Sequence, residues 1–278
     1  MRDIILGILG YDNIHDLVLR DLQWALNNRS MLERESFPRE VLGYIVEVIV
    51  TRGYWRTWPM KYLIWKLKSM GFTVTRNHVV IGLDDFDKLL KAVDELYRET
   101  HKRYWYETLS GLQAFSRGIR RAGSLKKWID TLHSLLVKGY EWKKHEYYKG
   151  IRGLGRKGSE LILRDMGYFD RIPVDIHERR FILRTGIALL YGPPSKDPIS
   201  LEFYIEALTR YSRENLEDVE LGGVALGSAP GILDWAIWYF ACEKESGDCK
   251  AICSSDPKCE KCPIRNACLY GKISGKTG

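Results

Sequence analysis

The sequence predicts an all-α fold, and three observations carry that prediction. Apolar residues recur at helical spacing along most of the chain. An apolar content of 45% with nine Trp supplies a core sufficient for one large domain or two. One segment alone, residues 72–82, alternates in the manner of strands.

The first helical pattern runs from Ile14 to Leu26, with apolar side chains at 14, 17, 18, 22, 25 and 26. Pro38 opens a second helix through Val50, because the first helical turn does not need the N–H that proline lacks. Met60 to Met70, Phe86 to Tyr97, Tyr104 to Ala122 and Ser124 to Val137 continue the series. Phe72 to Gly82 alternates about Arg76-Asn77 and predicts a small β-hairpin. Gly192 to Pro198 reads as a loop, and Gly222 to Gly231, with four Gly and one Pro, as a second irregular stretch. There is no internal repeat and no low-complexity tract.

No run reaches the roughly 18–20 uninterrupted apolar residues of a membrane span. The best, Val41 to Val50, is broken by Glu47. The chain opens with Arg2 and Asp3 rather than a signal-peptide pattern. The expectation is a cytoplasmic monomer without membrane contact, in which clustered cysteines serve metal more than disulfides. The net charge of +7 is uneven: residues 98–164 hold sixteen Lys or Arg against six Asp or Glu, a local +10, which leaves −3 elsewhere. A basic middle in a slightly acidic chain is the footprint of a nucleic-acid binder, or of a solvated helical surface.

Residues 143–166 lie inside that basic segment. A short helix is expected to end near Gly150, a tight turn to form at Gly153-Leu154-Gly155, and a second helix to start at about Arg156. Glycines permit positive φ, so successive N–H groups can face one side at a helix N-terminus, where the dipole favours anions. Leu154 would tuck inward while Gly153, Gly155 and Arg156 meet a phosphate backbone without reading sequence. An ordinary corner between helices is the alternative.

All six cysteines fall between Cys242 and Cys268, and four of them form Cys253-x5-Cys259-x2-Cys262-x5-Cys268. Four thiolates within sixteen residues suit metal coordination. Zinc ribbons usually carry two Cys-x2-Cys pairs, and this chain has one, Cys259/Cys262. Lys258, Lys261 and Arg265 sit on the loops between these cysteines, where they either bind DNA phosphates or are simply solvated.

Ile151-Arg152-Gly153-Leu154-Gly155-Arg156-Lys157, then Val174-Asp175-Ile176-His177 eighteen residues after Lys157, then the cysteine loop, together resemble the helix-hairpin-helix DNA glycosylases of the endonuclease III superfamily. The resemblance spans roughly residues 38–270 and is specific in 151–184 and 253–268. It implies two helical domains: 38–169, a barrel with the hairpin, and 1–37 with 170–278, which carries a 4Fe–4S cluster. Cys253, Cys259, Cys262 and Cys268 would be the ligands, with zinc as the alternative metal. The first spacing is five residues where the family has six, so Cys249 is the alternative first ligand. Cys242 and the unused member would be free thiols or a disulfide.

The resemblance also assigns chemistry. A damaged base must leave the stack before its glycosidic bond can be reached. A neutral Lys157 amine would attack the sugar's anomeric carbon and form a Schiff base. Asp175 would stabilise the oxocarbenium-like sugar or assist proton transfer, and would also cap the apolar helix from Phe181 to Leu190. His177 matches a family position and reads better as a structural histidine. Duplex DNA with a damaged base or abasic site is the implied partner. The implied function is a glycosylase/AP lyase for an oxidised base, pyrimidine before 8-oxoguanine. A DNA-structure-binding protein without catalysis is the alternative outside the enzyme class. The chain departs from the family in three places. The gap-filling Gln is absent, with Arg52, Tyr54 or Trp55 to replace it; Arg152 stands where the hairpin usually has Pro; and 78 residues separate Asp175 from Cys253.

Overall fold

The computed structural model describes residues 1–52, 57–75, 78–245 and 247–274. It is mostly helical, as the periodicity predicts, with two short antiparallel strand pairs. In chain order the first elements are α1 (Arg2–Leu9), α2 (Ile14–Arg34), α3 (Arg39–Thr51), α4 (Thr57–Ser69), β1 (Val74–Thr75), β2 (His78–Val79), α5 (Phe86–Thr100) and α6 (Arg103–Ala122). Then follow α7 (Leu125–Val137), α8 (Arg156–Asp165), α9 (Ile176–Thr185), α10 (Ile187–Tyr191), α11 (Leu201–Asn215), β3 (Glu220–Leu221), β4 (Val224–Ala225), α12 (Gly231–Ala241) and α13 (Leu269–Ser274). No helix among the described residues is long and apolar enough to cross a membrane.

The chain divides into two compact units, Asn27–Met166 and Met1–Leu26 with Gly167–Gly278. The resemblance puts the first boundary before Pro38. The observed one falls after Leu26, inside α2, which runs unbroken to Arg34.

Unit Asn27–Met166 is built on α3, α5, α6 and α7. Pro38 immediately precedes α3, which buries Val41, Leu42, Ile45, Val46, Val48, Ile49 and Val50. Gly43 lets β2 lie directly on this helix, since a Cβ there would fall 1.7 Å from the Val79 carbonyl oxygen. The edge is closed by Glu47 Oε1, which accepts the Val79 N–H at 3.1 Å. The β1–β2 pair has the register Val74↔Val79 and Thr75↔His78, and the predicted turn residues Arg76 and Asn77 lie outside the described residues. Ser124 caps α7 by accepting the Lys127 N–H at 3.1 Å. The core centres on Trp105, Phe86, Phe115, Trp128 and Tyr148, with ring centroids 5.3 Å apart for Phe115–Trp128 and 4.9 Å for Trp128–Tyr148.

The other unit surrounds α12. Every residue of α12 except Trp238 is buried, and Asp234 is its only charged side chain. A helix apolar on all sides shows no stripe, which is why periodicity does not single it out. Ile4, Ile5 and Ile8 of α1, Phe181 of α9 and Tyr211 of α11 share this core with Phe240. The helix predicted from Phe181 to Leu190 is divided in two: it begins at Ile176 and breaks at Gly186, whose φ of 87° ends α9 before α10. The stretch predicted as irregular from Gly222 contains an ordered hairpin, β3–β4, with Gly222 and Gly223 at φ 56° and 80° in its two-residue turn.

Candidate functional site

Within unit Asn27–Met166, Arg52, Lys143, Tyr148 and the run Gly150–Gly155 line one open depression. The approach to the turn differs from expectation. No short α-helix ends at Gly150; the chain passes through one 3-10 turn at Trp142–Lys144 and a series of turns. Its support comes from α6. Gly111 and Gly118, seven residues apart on one face, leave room for backbone rather than side chains. A Cβ at Gly111 would lie 2.1 Å from the Arg152 oxygen, and one at Gly118 would lie 2.0 Å from the Tyr147 oxygen. Trp128 Nε1 donates to the Tyr147 oxygen at 3.2 Å, and the buried Tyr148 hydroxyl donates to the Trp128 carbonyl. Burial holds the Tyr148 phenol above its usual range.

The turn itself is part as predicted and part not. Gly153 has φ 91° and packs so closely on α3 that a Cβ would meet the Ile49 oxygen at 2.4 Å. Leu154 is buried. Gly155 is extended rather than left-handed (φ −94°, ψ −176°) and has open space around its Cβ position. As N-cap of α8 it offers no side chain, and the first turn of α8 holds no acid. The helix end therefore keeps its positive character, and Arg156 and half-buried Lys157 stand on that first turn.

Two predicted DNA-binding arginines are already engaged. Arg156 Nε pairs with Glu160 Oε1 at 2.6 Å, and Glu160 is 1% exposed. Arg52 ends α3 in the left-handed region (φ 58°), pairs with Glu107 at 2.6 Å and lies 4.5 Å above the Tyr104 ring. The Arg52 guanidinium, then that of Arg103, hold the Glu107 carboxyl below its ordinary value. Arg52 is thus aimed by neighbours instead of moving freely. Tyr54 and Trp55, the other gap-filling candidates, lie outside the described residues.

In the other unit, Asp175 caps α9. Its Oδ1 accepts the His177 N–H at 2.7 Å, and its own N–H is donated to Glu178 Oε2 at 2.7 Å, a reciprocal capping box. His177 Nδ1 lies 3.1 Å from the Ala241 oxygen, in keeping with a structural histidine.

Cys242 and Cys249 form a disulfide with Cα atoms 6.0 Å apart. Cys253, Cys259, Cys262 and Cys268 are free thiols, and all four line one small cavity with Ile252, Ile264 and Phe240. Arg184 closes its side: Nη1 donates to the Ser254 oxygen at 2.5 Å and lies 3.7 Å from Cys253 Sγ, while the Cys268 thiol donates to the Arg184 oxygen at 3.2 Å. Burial pushes the Cys262 thiol up to about 11 and raises those of Cys253 and Cys268. Among the described residues, no set of three or more His, Cys, Asp or Glu side chains forms a site that could hold a metal ion as the side chains stand. Lys258 pairs with Glu245 at 2.9 Å, Lys261 is exposed, and Arg265 lines the cavity.

Gly111 and Gly118 support the turn and are not revealed by motif spacing, whereas Glu178 stands three residues after Asp175, the spacing of a capping box. Glycines seven apart inside an otherwise regular helical pattern are the available signal for the first two. Comparison of the chain with family models, curated proteins and solved structures finds no match.

Proposed function

We propose that this chain is a bifunctional DNA glycosylase/AP lyase that excises an oxidised base, a pyrimidine in the first instance. The observation that carries the proposal is the uncapped, acid-free start of α8, set behind the Gly153–Gly155 turn in a depression lined by Arg52, Lys143 and Arg152. Backbone N–H groups at a positive helix end, ringed by cations, suit a DNA phosphate and favour no base.

Lys157, one residue into that helix, is the proposed nucleophile. Its Nζ bonds to the sugar's C1′ as the glycosidic bond breaks, and the base leaves with a proton. The amine nitrogen then expels the ring oxygen O4′, which leaves as a hydroxyl, to give the Schiff base; this acidifies C2′, and loss of that proton expels the 3′ phosphate. Asp175 is the proposed carboxylate for the developing positive charge on the sugar, and its capping contacts hold it in one orientation.

The four free thiols around one apolar cavity fit the ligand set expected of a 4Fe–4S cluster, and the disulfide takes the two remaining cysteines. Cys253, Cys259, Cys262 and Cys268 would hold it, and the bound cluster would supply four covalent ties to residues 253–268. Iron and sulfide at four each per chain would support this, and stoichiometric zinc would replace it.

Borohydride trapping on abasic duplex DNA tests the reaction. Wild type should give a covalent adduct, and Lys157→Gln should bind DNA without one. A folded, DNA-bound wild type that gives no adduct refutes the lyase and leaves a binding protein. A panel of single-lesion duplexes then separates oxidised pyrimidines from 8-oxoguanine.

A further inference from the structure

Helix α4 lies in unit Asn27–Met166, and none of its residues belongs to the motifs that motivate the proposed reaction. Its inner face is aliphatic, with Leu63 and Leu67 fully buried. Its outer face is aromatic. Tyr62 is 50% and Trp65 62% exposed, and half-buried Trp58 stands beside them with its ring centroid 6.2 Å from that of Tyr62. At about 100° per residue, Trp58, Tyr62 and Trp65 fall within an arc of roughly 60°. Exposed Lys61 and Lys68 lie along one flank of that arc. Lys102, immediately before α6, holds its ammonium 4.9 Å from the Trp58 ring centroid.

Charge selects the kind of partner this face fits. The thirteen residues of α4 include no Asp or Glu. Two acids of the neighbouring α5, Glu95 and Glu99, reach the helix, and both pair with Lys66 at 2.7 Å. Among the described residues, Lys61, Lys68 and Lys102 have no ion pair. Open aromatic rings edged by free cations complement a partner that is at once aromatic and anionic, which is the chemistry of bases and phosphates. A docking protein helix would want aliphatic side chains, and α4 turns those inward. Paired bases hide their faces in the stack, whereas an unpaired strand offers them. Residues three or four apart on a helix are about 5–6 Å apart, wider than the step of about 3.4 Å between stacked bases, so the face suits bases drawn apart.

We propose that the outer face of α4 is a stacking platform for single-stranded DNA, with Tyr62 and Trp65 under successive bases and Lys61, Lys68 and Lys102 at the phosphates. A row of rings joins it to the depression in the same unit. Arg52, which lines the depression, lies 4.5 Å from the Tyr104 ring centroid. Tyr104 is 5.2 Å from Trp58, and Trp58 adjoins Tyr62. A strand that leaves the depression unpaired thus has a path onto α4, which favours DNA in which an unpaired tail adjoins a duplex. That path rests on the proposed grip of DNA in the depression; the platform rests on its own residues.

Fluorescence anisotropy on the full chain compares a short oligothymidylate with a strand of equal length built from tetrahydrofuran residues. The second strand keeps every phosphate, has no base to stack and cannot form a Schiff base. Wild type should bind oligothymidylate about a hundredfold tighter, the scale of two stacked bases. Trp65→Ala should lose about tenfold of that preference, and Trp65→Phe should keep most of it. Both replace an exposed side chain, so the fold should persist, which circular dichroism checks. Lys61→Gln and Lys68→Gln should weaken both strands alike and lower the slope of log affinity against log salt by about 0.7 each. Equal wild-type affinity for the two strands, or an unchanged preference in Trp65→Ala, overturns the proposal. So does tighter binding of oligouridylate, which makes RNA the partner. Self-association that Trp65→Ala abolishes, with no base-dependent strand binding, also overturns it and makes a second copy of this chain the occupant. Wild type that traps abasic duplex DNA without the base preference loses the platform alone. The base preference without trapping supports the platform and removes the lyase alone.

Discussion

Gly111→Ala puts the support of the Gly153–Gly155 turn to a test in which two physical effects oppose each other. Gly111 lies inside α6, where alanine is favoured over glycine by about 1 kcal/mol on propensity alone. The structure predicts the opposite sign. The new Cβ would sit 2.1 Å from the Arg152 oxygen and 3.2 Å from its nitrogen, with ordinary contact beginning at 3.4 Å. The obstacle is backbone and cannot swing aside like a side chain, so the Arg152 carbonyl must retreat by about 1.3 Å. Overpacking of this kind costs about 1–3 kcal/mol, and its upper end outweighs the propensity gain, leaving a net loss of about 2 kcal/mol. The displaced segment leads directly into Gly153–Gly155, so borohydride trapping should fall by up to about a hundredfold, the cost of a roughly 1 Å misplacement. Urea denaturation gives the first quantity and single-turnover trapping the second. Gly123→Ala is the control. Gly123 has φ 79° with nothing within 4 Å of its Cβ position, so it should lose only about 1 kcal/mol and trap normally. A Gly111→Ala protein as stable as wild type would refute the close approach of residues 147–152 to α6.

Three further outcomes follow from the unit that carries the cysteines. Cys253→Ser should lower bound iron and thermal stability, whereas Cys249→Ser should keep full iron, read by metal analysis and melting; equal iron loss in both would show that the disulfide does not set the ligand choice. Glu243 is held down to about 2 by the Ser255 hydroxyl first and by its N–H and Arg180 next, so its contribution to stability is present above the ordinary 4.5 and disappears as pH falls to about 2. Glu243→Gln should therefore be less stable than wild type at pH 7 and indistinguishable near pH 2, by acid titration of the far-ultraviolet circular dichroism. Asp175→Ala removes the α9 cap and should cost about 1 kcal/mol in addition to any catalytic loss, by urea denaturation.

Helical stripes made α3, α5, α6 and α7 legible in the sequence, because each buries one face and wets the other. Leu89, Val93 and Leu96 on α5 are the plain case. Buried α12 has no wet face, so its Gly-Ile-Leu-Asp-Trp-Ala-Ile-Trp sequence carries no such stripe. The Leu-Gly-Gly-Val run at 221–224 did carry a hairpin signal, a two-glycine turn between apolar residues, masked by the density of glycine after it. At the site, the glycine turn and the Asp175 cap are local and follow from spacing. The neighbours that aim them are not local: Ile49 against Gly153, Arg152 against Gly111 and Glu107 on Arg52 are pairs remote in sequence. Nothing in the order of residues marks such pairs. The partition of six cysteines into one disulfide and four thiols is of the same kind, since spacing favours Cys253 as first ligand but leaves Cys249 as the alternative.

The direction of Lys157 is set by contacts that do little for stability. Helix α8 buries Glu160, Arg164 and Asp165, an expensive composition for ten residues. Arg156 pairs with Glu160 at 2.6 Å and Arg164 with Asp165 at 2.7 Å. Half-buried Tyr44 donates its hydroxyl hydrogen to Asp165, and Asn28 donates to the Asp165 carbonyl at 3.0 Å. An apolar helix of equal volume would pack as well or better, but it would tolerate rotation about its axis. The contacts from other elements do not: Tyr44 on α3 and Asn28 on α2 hold the Asp165 carboxylate and carbonyl, whereas the two ion pairs lie within α8 and turn with it. Slipping α8 by one residue turns it by about 100° and takes Asp165 from both of those partners. The same rotation would carry Lys157 away from the turn that precedes it. The contacts of Asp165 with Tyr44 and Asn28 thus specify one rotational setting of α8, and with it the side of the helix on which Lys157 stands, where apolar packing alone would leave several.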